Sequence, residues 1–172
     1  MIVVLLGYMG CGKSTVGQIL AEKLEFSFLD LDDYIEQNQQ ATISEIFDSK
    51  GEIFFRKLEA EAVKQLSKDS DSLVLALGGG TPCYSDTMQF LVNHPNVKTV
   101  FLNLSIKKLS ERLINEKAKR PLIANLNDED ISEFIAKHLF ERSFYYNQAE
   151  IGIQTDSLST DEIIATIQSK LF

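Results

Sequence analysis

A glycine-rich segment near the start of the chain combines residue types that bind phosphate. The segment from Gly7 to Thr15 reads GYMGCGKST and matches the pattern G-x-x-x-x-G-K-[ST]. In such loops the glycines let backbone N–H groups approach phosphate oxygens, the lysine reaches the β- and γ-phosphates, and the next hydroxyl binds Mg²⁺. The pattern therefore predicts a nucleotide site that includes Gly10, Cys11, Gly12, Lys13, Ser14 and Thr15.

Two carboxylates follow a second apolar segment of the chain. Asp30 and Asp32 stand where a parallel strand is expected to end, which is the edge where ligands bind in such sheets. Strand alternation predicts that both side chains point to one side. One carboxylate could serve Mg²⁺, while the other accepts a proton or hydrogen bond from a substrate hydroxyl. Capping of a helix that begins near Asp33 is the alternative.

Three consecutive glycines, Gly78, Gly79 and Gly80, follow a further apolar segment. Without side chains, they leave backbone amides accessible to an oxygen-rich ligand. A loose turn with no ligand is the alternative. We favour contact with substrate, because this turn should leave the same edge of the sheet as the phosphate loop.

Three arginines are candidates for binding anions: Arg56, Arg120 and Arg142. A helical arginine is most often solvated or paired with a carboxylate, so each one alone is weak evidence of function. Arg120 differs because it follows two lysines in a polar stretch that ends around Asp128. That stretch is typical of a flap that brings positive charge onto transferring phosphates.

These residues need a sheet to position them, and the hydrophobic pattern predicts one. The run Ile2 to Leu6 is continuously apolar and β-branched, as expected of a strand buried on both faces, and a helix with apolar residues at helical spacing follows from Ser14 to Leu24. Short apolar strands then alternate with amphipathic helices, which predicts an α/β fold of three α/β/α layers around a five-stranded parallel sheet. The other predicted strands are Phe26 to Leu31, Leu73 to Leu77, Val97 to Leu104 and Glu150 to Thr155.

A helical insertion is predicted between the second and third strands. Thr42 and Glu45 form a capping box that opens a short helix, Gly51 closes it, and a longer helix runs from about Glu52 to Ser67. A second capping box, Ser159 with Glu162, precedes a C-terminal helix.

Length and composition limit the possible classes of protein. A chain of 172 residues fits a single domain, and its net charge of −8 argues against non-specific nucleic-acid binding. Cys11 and Cys83 lack zinc-type spacing and suggest a reducing compartment, and the apolar start is too short for a membrane span. We therefore expect a cytoplasmic protein, a monomer, with no nucleic-acid or membrane partner.

Taken together, the motifs resemble shikimate kinases, which belong to the nucleoside-monophosphate-kinase-like branch of P-loop kinases. The resemblance runs from end to end, and its motifs occur in the family order. They are the phosphate loop Gly7 to Thr15, then Phe28-Leu29-Asp30-Leu31-Asp32, Phe55-Arg56-Lys57-Leu58-Glu59, Gly78 to Gly80, and Arg120-Pro121-Leu122.

The resemblance implies ATP-dependent phosphorylation of the 3-hydroxyl of shikimate in the chorismate and aromatic amino acid pathway. It implies that Ser14 and Asp30 bind Mg²⁺. It also implies a substrate-binding insertion at about residues 32–61 and a lid at about 114–128. The implied catalytic residues are Lys13, Asp32 and Arg120, with Arg120 also on the nucleotide and Asp32 orienting or deprotonating the hydroxyl. The implied shikimate-binding residues are Asp32, Arg56, Glu59, Gly78, Gly79, Gly80 and Arg142, with Glu59 orienting Arg56.

Other assignments stay open at this stage. Arg112 is placed as a neighbour of adenine, without a distinctive motif. The family often has Arg-x-Pro-x-Tyr, of which this chain keeps Arg142 and Tyr146 but not the proline. A P-loop kinase acting on gluconate or a nucleoside monophosphate is one alternative. A GTP-binding switch is another, because Asp48 to Gly51 reads Asp-x-x-Gly, although no Asn-Lys-x-Asp signature accompanies it.

Overall fold

A parallel five-stranded sheet forms the centre of the computed structural model, which describes residues 1–117 and 122–172. The strand order is β2-β3-β1-β4-β5, and all four pairings are parallel. Each strand ends within one residue of its predicted limits, so the predicted five-stranded fold is confirmed. The strands are β1 (Ile2–Leu6), β2 (Ser27–Asp30), β3 (Leu73–Ala76), β4 (Val97–Asn103) and β5 (Ile151–Gln154).

Helices cover both faces of this sheet and complete the three predicted layers. Among the described residues, none of these helices is long and apolar enough to cross a membrane. The helices are α1 (Lys13–Leu24), α2 (Leu31–Gln39), α3 (Ile43–Lys50), α4 (Glu52–Asp69), α5 (Thr87–Asn93), α6 (Ile106–Glu116), α7 (Asp128–Tyr146) and α8 (Thr160–Leu171), with a 3₁₀ turn at Thr81–Cys83.

Strand β1 shows why the chain needs both helical layers. All five of its residues are buried, and they divide between two hydrophobic clusters on opposite faces of the sheet. Val3 and Leu5 pack with α1, α6, α7 and α8 residues on one face, while Ile2, Val4 and Leu6 pack with α2, α4 and α5 residues on the other. A strand buried on both faces must be apolar throughout, as this one is.

The insertion follows the predicted capping pattern. Thr42 and Glu45 form both hydrogen bonds of a capping box at the start of α3, and Ser159 and Glu162 do the same for α8. At Gly51, where φ is 82°, the backbone N–H donates to the carbonyl of Phe47 at 2.9 Å and ends α3. A left-handed φ suits glycine, so Asp48 to Gly51 is a helix terminus and not the strand-following loop that a GTP switch requires.

The sheet order places three chain segments side by side. Strands β2, β3 and β1 are consecutive neighbours, so the segments that leave their carboxyl ends meet at one edge. These segments carry Asp30, the glycine turn that starts at Gly78, and the phosphate loop that starts at Gly7. The predicted lid, at about 114–128, contains residues 118–121, which lie outside the described residues, and Arg120 is one of them.

Candidate active site

A cleft of about 660 Å³ opens at this edge of the sheet. Its walls come from the phosphate loop, the end of β2, the glycine turn, and parts of α6 and α8. Most of the residues predicted to contact nucleotide or metal line it. The predicted residues in its wall are Gly10, Cys11, Gly12, Lys13, Ser14, Thr15, Asp30, Asp32, Gly78, Gly79 and Arg112.

Two glycines give the phosphate loop its shape. Gly12 has a φ of 103° and is the N-cap of α1, so the backbone turns directly from the loop into a helix N-terminus. At Gly7 a Cβ would lie 2.8 Å from the backbone oxygen of Leu102, closer than a real side chain can approach. Backbone N–H groups at a helix N-terminus bind anions, so this loop is built to hold phosphate.

Lys13 lies across the loop that it is predicted to serve. Its Nζ donates to the carbonyl oxygens of Gly7 at 2.8 Å and Tyr8 at 3.1 Å. These bonds hold the ammonium group over the phosphate cradle. The lysine can exchange them for phosphate oxygens, which accept more strongly because they are charged.

Ser14 and Asp30 form a pair of oxygen ligands in the cleft wall. The Ser14 hydroxyl donates to Asp30 Oδ2 at 2.8 Å. A hydroxyl and a carboxylate fit Mg²⁺, which binds few protein oxygens and takes its remaining ligands from water and phosphate. No cluster of three or more His, Cys, Asp or Glu side chains that could hold a metal occurs in the described part of the chain.

The carboxylate pair departs from its prediction in one respect. Helix α2 begins at Leu31 and not near Asp33, because Asp30 Oδ1 accepts a hydrogen bond from the Asp32 N–H at 3.1 Å and caps the helix. Asp32 therefore lies in the first turn of a helix, where strand alternation does not set the direction of its side chain. The two side chains share the cleft wall all the same, and Asp30 both caps α2 and faces Ser14.

The environment of Asp32 favours its protonated form. Desolvation by burial raises its pKa from the ordinary value of 3.8 to about 6, and repulsion from the charges of Asp30 and Glu59 adds to this effect, while Lys13 opposes it. A carboxylate with a pKa near neutrality is a stronger base than an exposed aspartate, yet it remains mostly ionised at pH 7.

The glycine turn brings the remaining predicted residues together. A Cβ at Gly78 would lie 3.1 Å from Asp32 Oδ1 and 3.2 Å from Glu59 Oε1, and one at Gly80 would lie 2.9 Å from Arg56 Nη1. At Gly79, the Cβ position is 3.4 Å from Arg142 Nη1. A side chain at Gly78 or Gly80 would therefore crowd these groups, whereas the distance at Gly79 is an ordinary contact.

Arg56 is held by carboxylates on its own helix. Its Nη1 donates to Glu59 Oε2 at 2.8 Å, and its Nε and Nη2 donate to Glu52 Oε1 at 3.3 Å. Glu59 is 2% exposed and also accepts from the Thr81 hydroxyl at 2.5 Å. A buried carboxylate with two donors is fixed in place, and it fixes Arg56 in turn.

Arg142 lies beside aromatic residues, some of which the sequence motifs did not indicate. No ion pair to Arg142 occurs within residues 1–117 and 122–172. Its Cζ lies 5.5 Å from the ring centroid of the buried Tyr8, whose hydroxyl is 2.9 Å from His138 Nδ1. Buried Tyr146, at the end of the same helix, donates to the carbonyl of Gly79. Only the family pattern pointed to Tyr146, and no motif pointed to Tyr8 or His138.

The far end of the cleft adds further residues. Arg112 on α6 donates from Nη1 to the carbonyl of Gly10 at 3.0 Å, so it braces the phosphate loop from outside. Leu158, Thr160 and Ile163 also line this end, and their types carry no signal of nucleotide contact. Arg56, Glu59, Gly80 and Arg142 do not line the cleft itself but surround the glycine turn at its side.

The fold and this site define a P-loop phosphotransferase, with an anion cradle, a hydroxyl–carboxylate pair and a carboxylate of raised pKa in one cleft. Residues 9–172 match the sequence profile of the family described as shikimate kinase. A shikimate kinase of Flavobacterium johnsoniae is 48% identical over 165 residues, covering 96% of this chain and 95% of its own length. The chain therefore belongs to the shikimate kinase family.

Solved structures agree with this result. A shikimate kinase from Bacteroides thetaiotaomicron superposes with a TM-score of 0.91 at 34% identity, covering 99% of this chain and 98% of that chain. A shikimate kinase from Acinetobacter baumannii, solved in complex with shikimate, gives a TM-score of 0.86 at 32% identity, covering 99% and 92% of the two chains.

Proposed function

We propose that this chain transfers the γ-phosphoryl group of ATP to the 3-hydroxyl of shikimate, giving shikimate 3-phosphate and ADP. This reaction belongs to the chorismate pathway of aromatic amino acid biosynthesis, and it uses ATP and Mg²⁺, as the family does. The observation that carries the proposal is the position of Asp32, which lines the nucleotide cleft and also lies against the glycine turn that Arg56 and Arg142 surround.

The nucleotide side of the proposal rests on the phosphate loop. The loop N–H groups and Lys13 would bind the β- and γ-phosphates, and Arg112 would contact the nucleotide near adenine. Ser14 and Asp30 would hold Mg²⁺, which when bound neutralises charge on the phosphates. Arg120 is proposed to add positive charge to the transferring group, on sequence grounds alone, since it lies outside the described residues.

The acid side rests on two guanidinium groups of different character. Arg56, already oriented by Glu59, and Arg142, which has no carboxylate partner in the described residues, would bind the shikimate carboxylate with paired N–H donors. The backbone of the turn Gly78 to Gly80 would line the ring of the substrate. A small hydroxy acid fits this set of groups, because two guanidinium groups can bind its carboxylate and the Asp32 carboxylate can accept a hydrogen bond from one of its hydroxyls.

The chemical step needs one base and a set of fixed charges. Asp32 would take the proton of the 3-hydroxyl as that oxygen forms its bond to the γ-phosphorus, while the bond from the γ-phosphorus to the bridging oxygen of ADP breaks. Most of the acceleration in such transfers comes from positioning and electrostatic stabilisation, which the cradle and the lysine supply.

The domain limits, location and assembly state of this enzyme are also part of the proposal. We propose one catalytic domain over residues 1–172, with the substrate-binding insertion at about 32–61, built from α2, α3 and the first half of α4, and the lid at about 114–128. A cytoplasmic location agrees with the free thiols of Cys11 and Cys83. We also propose that the enzyme is a monomer.

The test is an assay coupled to ADP release with MgATP, comparing shikimate, gluconate, AMP and no acceptor at equal concentrations. We expect release that depends on shikimate, with phosphorus NMR placing the new phosphate on the 3-oxygen. Release with gluconate or AMP in place of shikimate would refute the substrate assignment while leaving the phosphate loop intact.

A further inference from the structure

Tyr84 presents the face of its ring to Arg56. The residue follows the 3₁₀ turn Thr81–Cys83, just beyond the glycine turn, and the Arg56 Cζ lies 4.1 Å from the centroid of the Tyr84 ring. This distance is well inside the limit of about 6 Å for attraction between a cation and an aromatic face. None of the motifs that identify the family includes Tyr84.

The contact with Tyr84 differs in kind from the carboxylate contacts of Arg56, and it is closer than the other aromatic contact, in which the Arg56 Cζ lies 5.5 Å from the centroid of the Phe55 ring. Glu52 and Glu59 accept from three nitrogens of the guanidinium, at its edge and in its plane. Guanidinium has five N–H donors, so Nη1 and Nη2 each keep a second hydrogen. The guanidinium carbon lies over the ring, and this attraction requires none of these hydrogen bonds. Tyr84 can therefore restrain the group while leaving two N–H groups for a ligand.

The ion pair with Glu52 is the interaction that a restraint on Arg56 must oppose. The Glu52 side chain is 54% exposed, whereas that of Arg56 is 16% exposed, so an ion pair with Glu52 favours rotation of the guanidinium toward solvent. A Cβ at Gly80 would lie within 3.2 Å of Arg56 Cζ, so the chain at Gly80 comes close to the same group. The segment from Gly80 to Tyr84 thus holds the guanidinium close to the glycine turn.

We infer that Tyr84 is a positioning residue for Arg56, and that its ring orients the guanidinium for the substrate carboxylate before substrate arrives. This inference rests on the proposed role of Arg56. An arginine side chain has many rotamers, and ordering it in the free enzyme reduces the entropy lost on binding. Tyr84 should therefore affect the affinity for the acid and leave the affinity for ATP unchanged.

The first experiment compares Tyr84→Leu with Tyr84→Phe. We expect Tyr84→Leu to lower kcat/KM for shikimate about 3- to 10-fold, with KM for ATP within about twofold of the parent. Tyr84→Phe, which keeps the aromatic face, should restore kcat/KM to within about twofold of the parent. Thermal melting of each variant shows whether it is folded, and Tyr84→Gln replaces Tyr84→Leu if that variant does not fold.

A double-mutant cycle with Arg56→Met tests the role of Tyr84 separately from the proposed role of Arg56. Tyr84→Leu should have less than about a twofold effect in the Arg56→Met background, because no guanidinium is left to orient. If Arg56→Met alone leaves kcat/KM for shikimate unchanged, the proposed role of Arg56 is wrong. If Arg56→Met is defective but Tyr84→Leu is not, or Tyr84→Phe is as defective as Tyr84→Leu, only the inference about Tyr84 is overturned.

Discussion

The phosphate loop and the proposed binding site for the substrate carboxylate, formed by Asp32, Arg56 and Arg142 and called the acid site below, meet at the glycine turn, but they are built in different ways. The phosphate loop takes its groups from one short run, Gly7 to Thr15, and its main contacts, such as Lys13 with the carbonyls of Gly7 and Tyr8, lie within that run. The acid site takes its groups from β2–α2, α4, the glycine turn and α7. The first is a local structure that the sequence specifies, and the second exists only once the chain has folded.

This difference predicts that the two regions can be damaged separately. Asp32 is the exception, because it lines the nucleotide cleft while its carboxylate lies beside Gly78 and feels the charge of Glu59. Substitutions at Asp32 should therefore have the largest effect, and substitutions further from the junction should have smaller effects confined to one ligand.

We expect Asp32→Asn to reduce kcat about 10²- to 10⁴-fold, because an amide cannot accept the proton of the hydroxyl. Burial disfavours the charged carboxylate of Asp32, so removing that charge should raise the free energy of unfolding at pH 7 by about 1 to 3 kcal/mol. Steady-state kinetics and urea denaturation measure the two effects. A kcat within tenfold of the parent would exclude Asp32 as the base.

Lys13→Met should reduce kcat/KM for ATP about 10²- to 10³-fold, because the phosphates lose a positive charge in the transition state. Binding of shikimate to the nucleotide-free enzyme, measured by calorimetry, should stay within about twofold of the parent value. Lys13→Arg, which keeps the charge, is the control for the loop shape. A large loss of shikimate affinity in Lys13→Met would show that the two regions are not separable.

Arg56→Ala should reduce kcat/KM for shikimate about 10- to 100-fold, since a charged hydrogen bond to the carboxylate is lost. KM for ATP should change less than about twofold. Lys57→Ala removes the same charge from an exposed neighbour on α4 and is the matched control. Equal losses for both ligands would contradict the assignment of Arg56 to the acid site.

The pH dependence of kcat/KM for shikimate should report the carboxyl of Asp32. Its pKa is raised to about 6 in the folded protein, and only the ionised form accepts a proton, so activity falls as pH drops through that value. At pH 5 the expected loss is about tenfold. The effect of Asp32 on the free energy of unfolding has the opposite pH dependence. Between pH 3.8 and about pH 6 the folded protein binds this proton more tightly than the unfolded chain does.

In that window the contribution of Asp32 to stability decreases as pH rises, and it is smallest above pH 6. The stability of the parent relative to Asp32→Asn should therefore fall as pH rises through this window, while the activity of the parent rises. A stability difference that does not change with pH would assign the pH profile of activity to another group.

The smallest effect is expected at Tyr146, which donates to the carbonyl of Gly79 from a fully buried position. Tyr146→Phe leaves that carbonyl without its donor, at a cost of about 1 to 2 kcal/mol in the free energy of unfolding. Chemical denaturation measures this loss, and Tyr145→Phe at the partly exposed neighbour is the control. A stability equal to that of the parent would show that the carbonyl finds another donor.

The sequence predicted much of the fold because its signals were local. The run Ile2 to Leu6 is apolar throughout since both faces of β1 are covered, and the capping boxes at Thr42 and Ser159 fall where α3 and α8 begin. The predicted start of α2, near Asp33, was wrong by two residues, because Asp30 is the last residue of β2 and also caps the helix. Where one residue ends a strand and caps the next helix, no loop residues separate the two hydrophobic patterns to mark the boundary.

The candidate site was predicted in part. The P-loop pattern and the family motifs selected the residues that line the cleft, but no local pattern indicated Tyr8, His138 or Tyr84. These three side chains act on neighbours that are far away in sequence or in another element. Aromatic residues at such positions have the same appearance in a sequence as ordinary core or surface residues.

The sequence by itself determined the phosphate cradle, the positions of the strands and the motifs that resemble a kinase family, because each strand or motif is formed by residues that are close together in the chain. Only the tertiary structure decided that Asp32, Arg56 and Arg142 surround one turn, and that Arg56 rests on Tyr84. The physical reason is that the strand order β2-β3-β1 and the packing of α4 and α7 on the sheet bring these segments together. The spacing of these residues along the chain does not indicate how close they are in space.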